Sequence, residues 1–192
     1  MIIIFAGALG RFPIGGHAWT EFHYMLGLEA LGHQVYFLED CGEGSWVYNW
    51  ESEKVTTDLD YPTRYAMDCL LPHGFGDRWI YRAGDETRGL SIDSFREICA
   101  KADLFIVRSI KMPVWREEYD WPRRRIFIDT DPGFTQMNAA KGGEFAETLA
   151  HCDLLFTNGQ RLGAEDCLIP SLGRPWIKTV FPILLDRWVP SA

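Results

Sequence analysis

The residues best suited to chemistry lie near the start of the chain, where His17 directly follows Gly15 and Gly16. Two glycines let a ligand approach the backbone closely, because neither carries a side chain. If a helix begins here, the positive end of its dipole disfavours imidazolium and lowers the pKa of His17. A neutral imidazole in a cleft can act as a general base, but the same residue can also only cap the helix or bond to a neighbouring loop.

Acidic residues follow two apolar runs of the sequence. Asp129 and Asp131 belong to the segment DTDPG, where one carboxylate could orient the imidazole or hydrogen-bond a sugar hydroxyl. The alternative is a plain turn, because Asp-Pro-Gly is strong turn chemistry. Glu39 and Asp40 also have two interpretations, since an acidic residue after a second strand can bind a ribose or can be merely solvated.

Three further groups are candidates for substrate binding. The basic concentration around Arg108 could receive a phosphate or another anionic group, and the alternative is a solvated face before an inner strand. Thr157 and Asn158 follow a later apolar run and are nominated by position. Trp46 belongs to an irregular segment, residues 41–90, whose many aromatic rings argue against disorder and are typical of pockets as well as cores.

Short apolar runs alternate with helical patterns and predict the elements that would position these residues. The glycines at 7, 10, 15 and 16 lack the GxGxxG spacing of a dinucleotide site, so a plain NAD domain is disfavoured. The pattern predicts an α/β fold with a Rossmann-like open parallel sheet, helices on both faces and three layers in a single domain, where ligands bind at the carboxyl ends of the strands. The predicted strands are Ile2–Ala6, Val35–Leu38, Arg78–Arg82, Asp103–Arg108, Arg125–Asp129, Leu154–Thr157 and Trp176–Val180, and the predicted helices are His17–Leu31, Tyr61–Leu71, Ser91–Lys101 and Phe145–His151.

Composition limits the partners and the compartment. The 192 residues carry a net charge of −8, and a surface that negative repels phosphate backbones, so we expect no nucleic-acid partner. The five cysteines have no metal-ligand spacing, which favours free thiols in a reducing cytoplasm, with no bound metal and no bound cofactor. The apolar opening is too short for a signal peptide or a membrane span.

The stretch Gly10–Asp40 resembles the opening of GT-B glycosyltransferases. In that family a glycine-rich loop ending in GGH leads into the first helix, here Gly15-Gly16-His17, and a GH-x-V turn leads into the second strand, here Gly32–Val35. The segments GEGSWVYNWE and DTDPGFTQ are similar to bacterial proteins described as glycosyltransferases.

The resemblance implies an N-terminal, acceptor-side domain over residues 1–180 and the start of an interdomain linker over residues 181–192. A second domain, absent from this chain or supplied by a partner chain, would bind a nucleotide-diphosphate sugar as donor substrate. His17 matches the loop histidine that serves as base in inverting members, with Asp129 or Asp131 in the place of its supporting aspartate. The function expected is sugar transfer to a small-molecule acceptor hydroxyl with inversion. The alternatives are a non-catalytic Rossmann-like domain that binds a small molecule or a partner, and, less favoured, a nucleotide-dependent oxidoreductase.

Overall fold

Strands and helices alternate along residues 1–188, which the computed structural model describes. The strands are β1 Ile2–Ala6, β2 Gln34–Asp40, β3 Val47–Asn49, β4 Lys54–Thr56, β5 Trp79–Ala83, β6 Glu86–Gly89, β7 Leu104–Arg108, β8 Arg124–Asp129, β9 Leu154–Thr157 and β10 Trp176–Lys178. The α-helices are α1 Gly15–Ala30, α2 Asp60–Leu70, α3 Ile92–Lys101, α4 Phe134–Ala139 and α5 Glu144–His151, and short 3-10 helices cover Leu71–His73, Glu117–Asp120 and Leu185–Arg187.

Eight strands form one sheet in the order β10-β9-β8-β7-β1-β2-β5-β6. All neighbouring pairs are parallel except the edge pair of β5 and β6, while β3 and β4 form a separate antiparallel hairpin. The carboxyl ends of the parallel strands therefore meet along one edge of the sheet, where the predicted site residues also lie.

The core consists of two layers because the central strands are buried on both faces. In β1, Ile3 and Phe5 face the cluster that includes α1 and α2, whereas Ile4 and Ala6 face the cluster that includes α3, α4 and α5. Continuous apolar runs produce this arrangement in parallel sheets. The predicted open sheet with helices on both faces is thus confirmed.

Two regions differ in detail from the sequence prediction. Helix α4 is not among the predicted helices, and it begins after Gly133, whose φ of 100° suits glycine. The Gln136 side chain accepts a hydrogen bond from the Gly133 amide, which caps this short helix. The irregular segment, residues 41–90, contains the predicted helix and strand as α2 and β5, and in addition the β3–β4 hairpin and β6, which were not predicted.

The last described residues pack along α1. The Leu184 amide donates to His23 Nδ1 at 3.1 Å, and the rings of Trp188 and Trp19 lie 5.3 Å apart. The predicted linker covers 181–192, and its residues 189–192 lie outside the described part of the chain. The division at residue 180 stays a prediction. Within residues 1–188, no helix combines the length and the apolar character needed to cross a membrane.

Candidate active site

The strand order reverses beside β1, and this places a crevice at its carboxyl end. The chain runs from β1 outward through β2 and β5, then returns to add β7 on the other side of β1. Open α/β sheets bind ligands at such a switch point, because the loops that leave the two central strands diverge there. The loop from β1 to α1 and the loop after β7 form its walls.

A buried carboxylate fixes the loop between β1 and α1. Glu39, fully buried at the end of β2, accepts hydrogen bonds from the amides of Leu9, Gly10 and Arg11 at 2.9, 2.7 and 2.9 Å. Burial raises the pKa of Glu39, against the opposing effects of Arg11 and the loop amides. Glu39 is neither solvated nor open to a ribose, so both interpretations drawn from the sequence are replaced by a structural role.

A second buried carboxylate lies on α1 and binds Arg108. Glu21 accepts from Arg108 Nε and Nη2, both at 2.6 Å, and from the Ala8 amide at 3.0 Å. Arg108 Nη1 also donates to Thr130 Oγ1 at 3.2 Å. Arg108 is buried, so its position at the end of β7 joins α1 to the loop that follows β8. The Arg108 side chain is therefore not part of a solvated face, which was the alternative interpretation of the sequence.

His17 lies one helical turn before Glu21 and contacts this ion pair. Its Nε2 is 3.5 Å from Glu21 Oε1 and 3.4 Å from Arg108 Nη2, and 28% of its side chain is exposed. Burial lowers the pKa of His17; Glu21 opposes this shift and the positive charge of Arg108 adds to it. The predicted neutral imidazole therefore has a physical basis in burial. We call His17, Glu21, Arg108 and Thr130 the histidine cluster.

A cleft of about 220 Å³ lies near His17, although His17 is not among the residues that line it. The ring of Phe12, which lines the cleft, lies 5.3 Å from the ring of His17. Ser109 lines it as well and has a φ of 50°, an uncommon backbone state that its bond from the Thr130 amide helps to hold. The whole lining is Arg11, Phe12, Ser109, Ile110, Lys111, Phe134 and Phe145. This mixture of rings, a hydroxyl and cations suits a ligand with apolar and polar parts.

The four glycines of the first loop and helix differ in the space around them. A Cβ on Gly7 would lie 2.7 Å from the Glu21 carboxylate, and one on Gly10 would lie 2.7 Å from the Pro62 carbonyl. A Cβ on Gly15 or Gly16 would meet no atom within 4 Å. Packing therefore requires glycine at positions 7 and 10. At Gly15 and Gly16 the missing side chains leave the surface before His17 accessible.

The remaining sequence candidates form a second group at the ends of β8 and β9. Asp129, fully buried, accepts from Gln136 Nε2 at 2.7 Å and from Thr157 Oγ1 at 2.8 Å. The Asn158 amide donates to the Asp129 carbonyl, and Asn158 Oδ1 is buried with no hydrogen-bond partner among the described residues. Asp131 is exposed, and its amide donates to Asp129 Oδ1 at 3.1 Å. Thr130 links this group to the histidine cluster through Arg108.

The structure therefore brings together His17 and Arg108, with Gly15 and Gly16 beside them, and separately groups the residues of β8 and β9. Trp46 lies apart from both groups, beyond β2. Sequence reasoning did not nominate Glu21, although its signal was present: an acidic residue four positions after a candidate histidine shares its helix face. The catalytic and binding roles of the nominated residues stay predictions.

Comparison with known proteins bears on the fold. The chain is similar to an alpha-glucosyltransferase in complex with UDP and a 13-mer DNA containing a HMU base, with a TM-score of 0.50, 12% sequence identity, and coverage of 95% of this chain and 43% of that one. An alpha-glucosyltransferase in complex with UDP gives a TM-score of 0.49 at 12% identity, over 95% of this chain and 44% of that one. No family profile and no curated protein matches the sequence.

The fold is similar to that of a glycosyltransferase. This likeness rests on the first of the two structures, and identity this low concerns the fold alone. The chain spans less than half the length of these glycosyltransferases.

One sequence prediction is wrong. We expected no nucleic-acid partner from the net charge, but the alpha-glucosyltransferase that shares this fold is in complex with DNA. The physical reason is that association with a phosphate backbone depends on where lysines and arginines lie, and a net charge averages over the whole surface. Net charge therefore does not exclude nucleic acid for this glycosyltransferase fold.

A second ion-pair cluster lies under the same edge of the sheet, at the ends of β2 and β5. Asp40 accepts from Arg116 Nε at 2.7 Å and from the hydroxyl of Tyr119, while Arg82 pairs with Glu118 and donates to the Tyr119 oxygen at 3.3 Å. Burial, and then Asp40, raise the pKa of Tyr119 well above its usual value. We call Asp40, Arg82, Arg116, Glu118 and Tyr119 the tyrosine cluster. It attaches the loop after β7 to the sheet.

Proposed function

We propose that this chain is the acceptor-side domain of a nucleotide-sugar-dependent glycosyltransferase and that His17 is its general base. The observation that carries the proposal is the position of His17: its imidazole lies at the switch point of the sheet, partly exposed beside a cleft and in contact with a buried carboxylate–guanidinium pair. A base needs access to the substrate and a defined orientation; the 28% exposure of His17 supports the first, and its contacts with Glu21 and Arg108 support the second.

Glu21 takes the place that the resemblance gave to an aspartate. Nε2 of His17 lies 3.5 Å from Glu21 Oε1, and in the tautomer that carries its hydrogen on Nε2, Nδ1 holds the lone pair that accepts a proton. Arg108 positions Glu21 through two hydrogen bonds and adds a positive charge that favours neutral imidazole. Arg108 is therefore a positioning residue in this proposal.

The reaction is a single displacement. His17 removes the proton of an acceptor hydroxyl while the hydroxyl oxygen forms a bond to the anomeric carbon of the donor sugar. The bond from that carbon to the phosphate oxygen breaks, and the nucleoside diphosphate leaves with the electron pair. Because attack and departure occur on opposite faces, the anomeric configuration inverts. The protonated imidazole then returns its proton to water.

The remaining residues have supporting parts in this proposal. Gly15 and Gly16 let the acceptor approach the start of α1, and Asp131, exposed beyond β8, is available to a sugar hydroxyl. The nucleotide-sugar donor would be bound by a second domain that follows a linker beginning near residue 181. The length of the similar glycosyltransferase supports that division, since this chain spans less than half of it.

The decisive experiment measures sugar transfer by the full gene product that contains this chain, using a panel of nucleotide sugars and acceptors. His17→Ala is expected to lower the transfer rate by about 10²–10⁴-fold, the usual contribution of a general base, with donor affinity retained. His33→Ala is the matched control, because His33 lies beyond the opposite end of α1. Near-normal turnover in His17→Ala would remove His17 from the mechanism.

The stereochemistry of the product gives an independent test. Proton NMR of the first product formed from an α-linked nucleotide sugar should show a β-linked anomeric proton. An α-linked product would contradict direct displacement by a hydroxyl that His17 deprotonates.

A third measurement concerns the chain of 192 residues by itself. If the donor is bound by another domain, calorimetric titration should detect little binding of nucleotide sugars. Micromolar affinity for one of them would contradict the division into an acceptor side and a donor side.

A further inference from the structure

A second and larger cleft lies at the same edge of the sheet, on the far side of β2 from His17. It measures about 440 Å³ and begins where β2 and β5 end. Its lining is polar and apolar together: Glu43, Gly44, Ser45, Trp46, Thr57, Leu59, Ala83 and Glu86. Neither the histidine cluster nor the tyrosine cluster contributes a residue to this lining, so the cleft is unused by the proposed chemistry.

An aromatic strip continues from this cleft along the β3–β4 hairpin. Trp46, Tyr48 and Trp50 alternate with the buried Val47, so their side chains share the outer face. Trp46 is 74% exposed and Trp50 60% exposed. At the rise of an extended chain the Cα atoms of Trp46 and Trp50 are at most about 13 Å apart. We call Trp46, Tyr48 and Trp50 the aromatic strip.

Hydrogen bonds and burial hold the backbone beneath the aromatic strip in place, although the rings themselves are exposed to solvent. Ser45, which precedes Trp46, is buried and shares a 2.7 Å hydrogen bond with the Tyr81 hydroxyl. The Trp50 amide donates to the Tyr61 hydroxyl at 3.2 Å, and the rings of Tyr48 and Trp50 meet edge to face at 4.7 Å. Exposed rings on a fixed frame lose little conformational freedom when a ligand covers them.

The surrounding charge selects the class of ligand. Glu43 and Glu86 line the cleft and are exposed, so both can accept hydrogen bonds from hydroxyl groups. Glu86 is paired with Arg88 Nη1 at 3.5 Å, and the negative charge of Glu43 repels a phosphate or a carboxylate. Exposed indole and phenol faces pack against the C–H face of a pyranose ring, which is apolar. Hydroxyl-rich edges and apolar faces occur together in neutral sugars.

We propose that the cleft and the aromatic strip bind a neutral oligosaccharide of two or more pyranose units. Two strand spacings separate β5 from β1, which is roughly 10 Å, so a glycan on the strip could extend toward His17 along the same edge of the sheet. In that arrangement the glycan is the acceptor, and this assignment rests on the proposed function. The binding itself is measurable without any donor sugar.

The experiment is an NMR titration of the chain with the neutral trisaccharides maltotriose, cellotriose and chitotriose. The indole N–H signal of Trp46, assigned from its absence in Trp46→Ala, should shift with at least one of them. Trp46→Ala should weaken that binding by about tenfold or more, as the truncation of a central aromatic contact does. Trp121→Ala is the matched control, because Trp121 is also an exposed indole but lies before β8, at the amino ends of the strands. Thermal unfolding of both variants verifies that each is folded.

Each outcome decides the proposal. Binding of a trisaccharide that Trp46→Ala weakens and Trp121→Ala leaves unchanged supports it. Equal binding in wild type and Trp46→Ala, or no binding of any neutral trisaccharide at millimolar concentration, overturns it. A shift of the Trp46 signal with trigalacturonate or a short single-stranded DNA in place of the neutral sugars also overturns it. His17→Ala should bind the trisaccharide as wild type does, so a failure of transfer and a failure of glycan binding are distinguishable.

Discussion

The histidine cluster and the tyrosine cluster are built from the same kinds of group, yet only one of them presents a reactive atom. Both contain a strand-end arginine paired with a buried carboxylate: Arg108 of β7 pairs with Glu21 of α1, and Arg82 of β5 pairs with Glu118 in the loop after β7. In the histidine cluster the ion pair contacts an imidazole that is 28% exposed. In the tyrosine cluster the phenol of Tyr119 is fully buried and bonded to Asp40.

This difference shows that buried charge is a poor guide to function unless one member of the group reaches a ligand. The tyrosine cluster joins β2, β5 and the loop after β7, which is a structural task. The histidine cluster joins α1 and β7 and also orients a titratable ring at the crevice. The two clusters should therefore differ in how substitution changes stability and sugar transfer.

The largest expected effect follows from breaking the ion pair of the histidine cluster. Arg108→Met should lower the free energy of unfolding by about 3–5 kcal/mol, because it leaves Glu21 charged, buried and unpaired. The double variant Glu21→Leu with Arg108→Met should lose less than this, since no uncompensated charge remains. Urea denaturation measures both. Arg64→Met, at an exposed ion pair with Glu51, is the control and should change stability by less than about 1 kcal/mol. A double variant less stable than Arg108→Met would contradict this account.

A smaller effect is expected from the tyrosine cluster. Tyr119→Phe removes the hydroxyl that bonds Asp40 and accepts from Arg82, and should cost about 1–3 kcal/mol of unfolding free energy. Sugar transfer should stay unchanged, because no atom of this cluster contacts the cleft beside His17. The matched control is Tyr36→Phe, which removes an exposed hydroxyl bonded to Gln34. A loss of transfer as large as that of His17→Ala would place the tyrosine cluster in the reaction.

Glycine replacements test whether packing or ligand access explains the first loop. Gly7→Ala should destabilise the protein by about 1–3 kcal/mol, because its Cβ would press on the Glu21 carboxylate at 2.7 Å. Gly16→Ala should leave stability unchanged or raise it by up to about 1 kcal/mol, because alanine favours the helix and its Cβ enters open space. Thermal unfolding compares the two variants. Destabilisation by Gly16→Ala equal to that by Gly7→Ala would contradict the distinction.

The smallest expected effect is the pH dependence contributed by His17. Its pKa is lowered by burial, so below its usual value of about 6.5 the unfolded chain binds more protons than the folded protein does. Stability from this residue is therefore full above about pH 6.5 and declines as pH falls toward the folded pKa. His17→Gln should flatten this part of the stability curve between about pH 5 and 7. The pKa of His73 is also lowered by burial, but His73 is present in both proteins and cancels. Parallel curves would contradict a lowered pKa at His17.

The sequence predicted the sheet well because its central strands carry a local signal. Runs such as Ile2–Ala6 are apolar throughout, and continuous apolar runs are typical of strands buried on both faces. The helix predicted to start at Ser91 is also observed as α3, and the Ser91 hydroxyl caps it by accepting from the Ser94 amide. By contrast, β6 is polar and lies at the edge, and α4 depends on a cap formed by its own Gln136, so neither gives a clear periodic pattern.

The site was harder to predict because its partners are distant in sequence. His17 was nominated from its neighbours, whereas its contact with Arg108 spans 91 positions and depends on β1 and β7 being adjacent in the sheet. Asp129 was nominated as a partner by position, but its carboxylate bonds Gln136 and Thr157. Which strands are neighbours is a tertiary property, and a single sequence does not encode it locally.

The bonds from Glu39 to the amides of Leu9, Gly10 and Arg11 have a consequence for the way specificity can change. A loop held through its backbone keeps its path when its side chains are exchanged, so the residues that face the cleft can vary without unfolding the loop. The side chains of such a loop can therefore be exchanged while its backbone stays in place. Substitution at Phe12, which lines the cleft and is 49% exposed, would then change which molecules the cleft admits. The position of the His17 imidazole would stay the same.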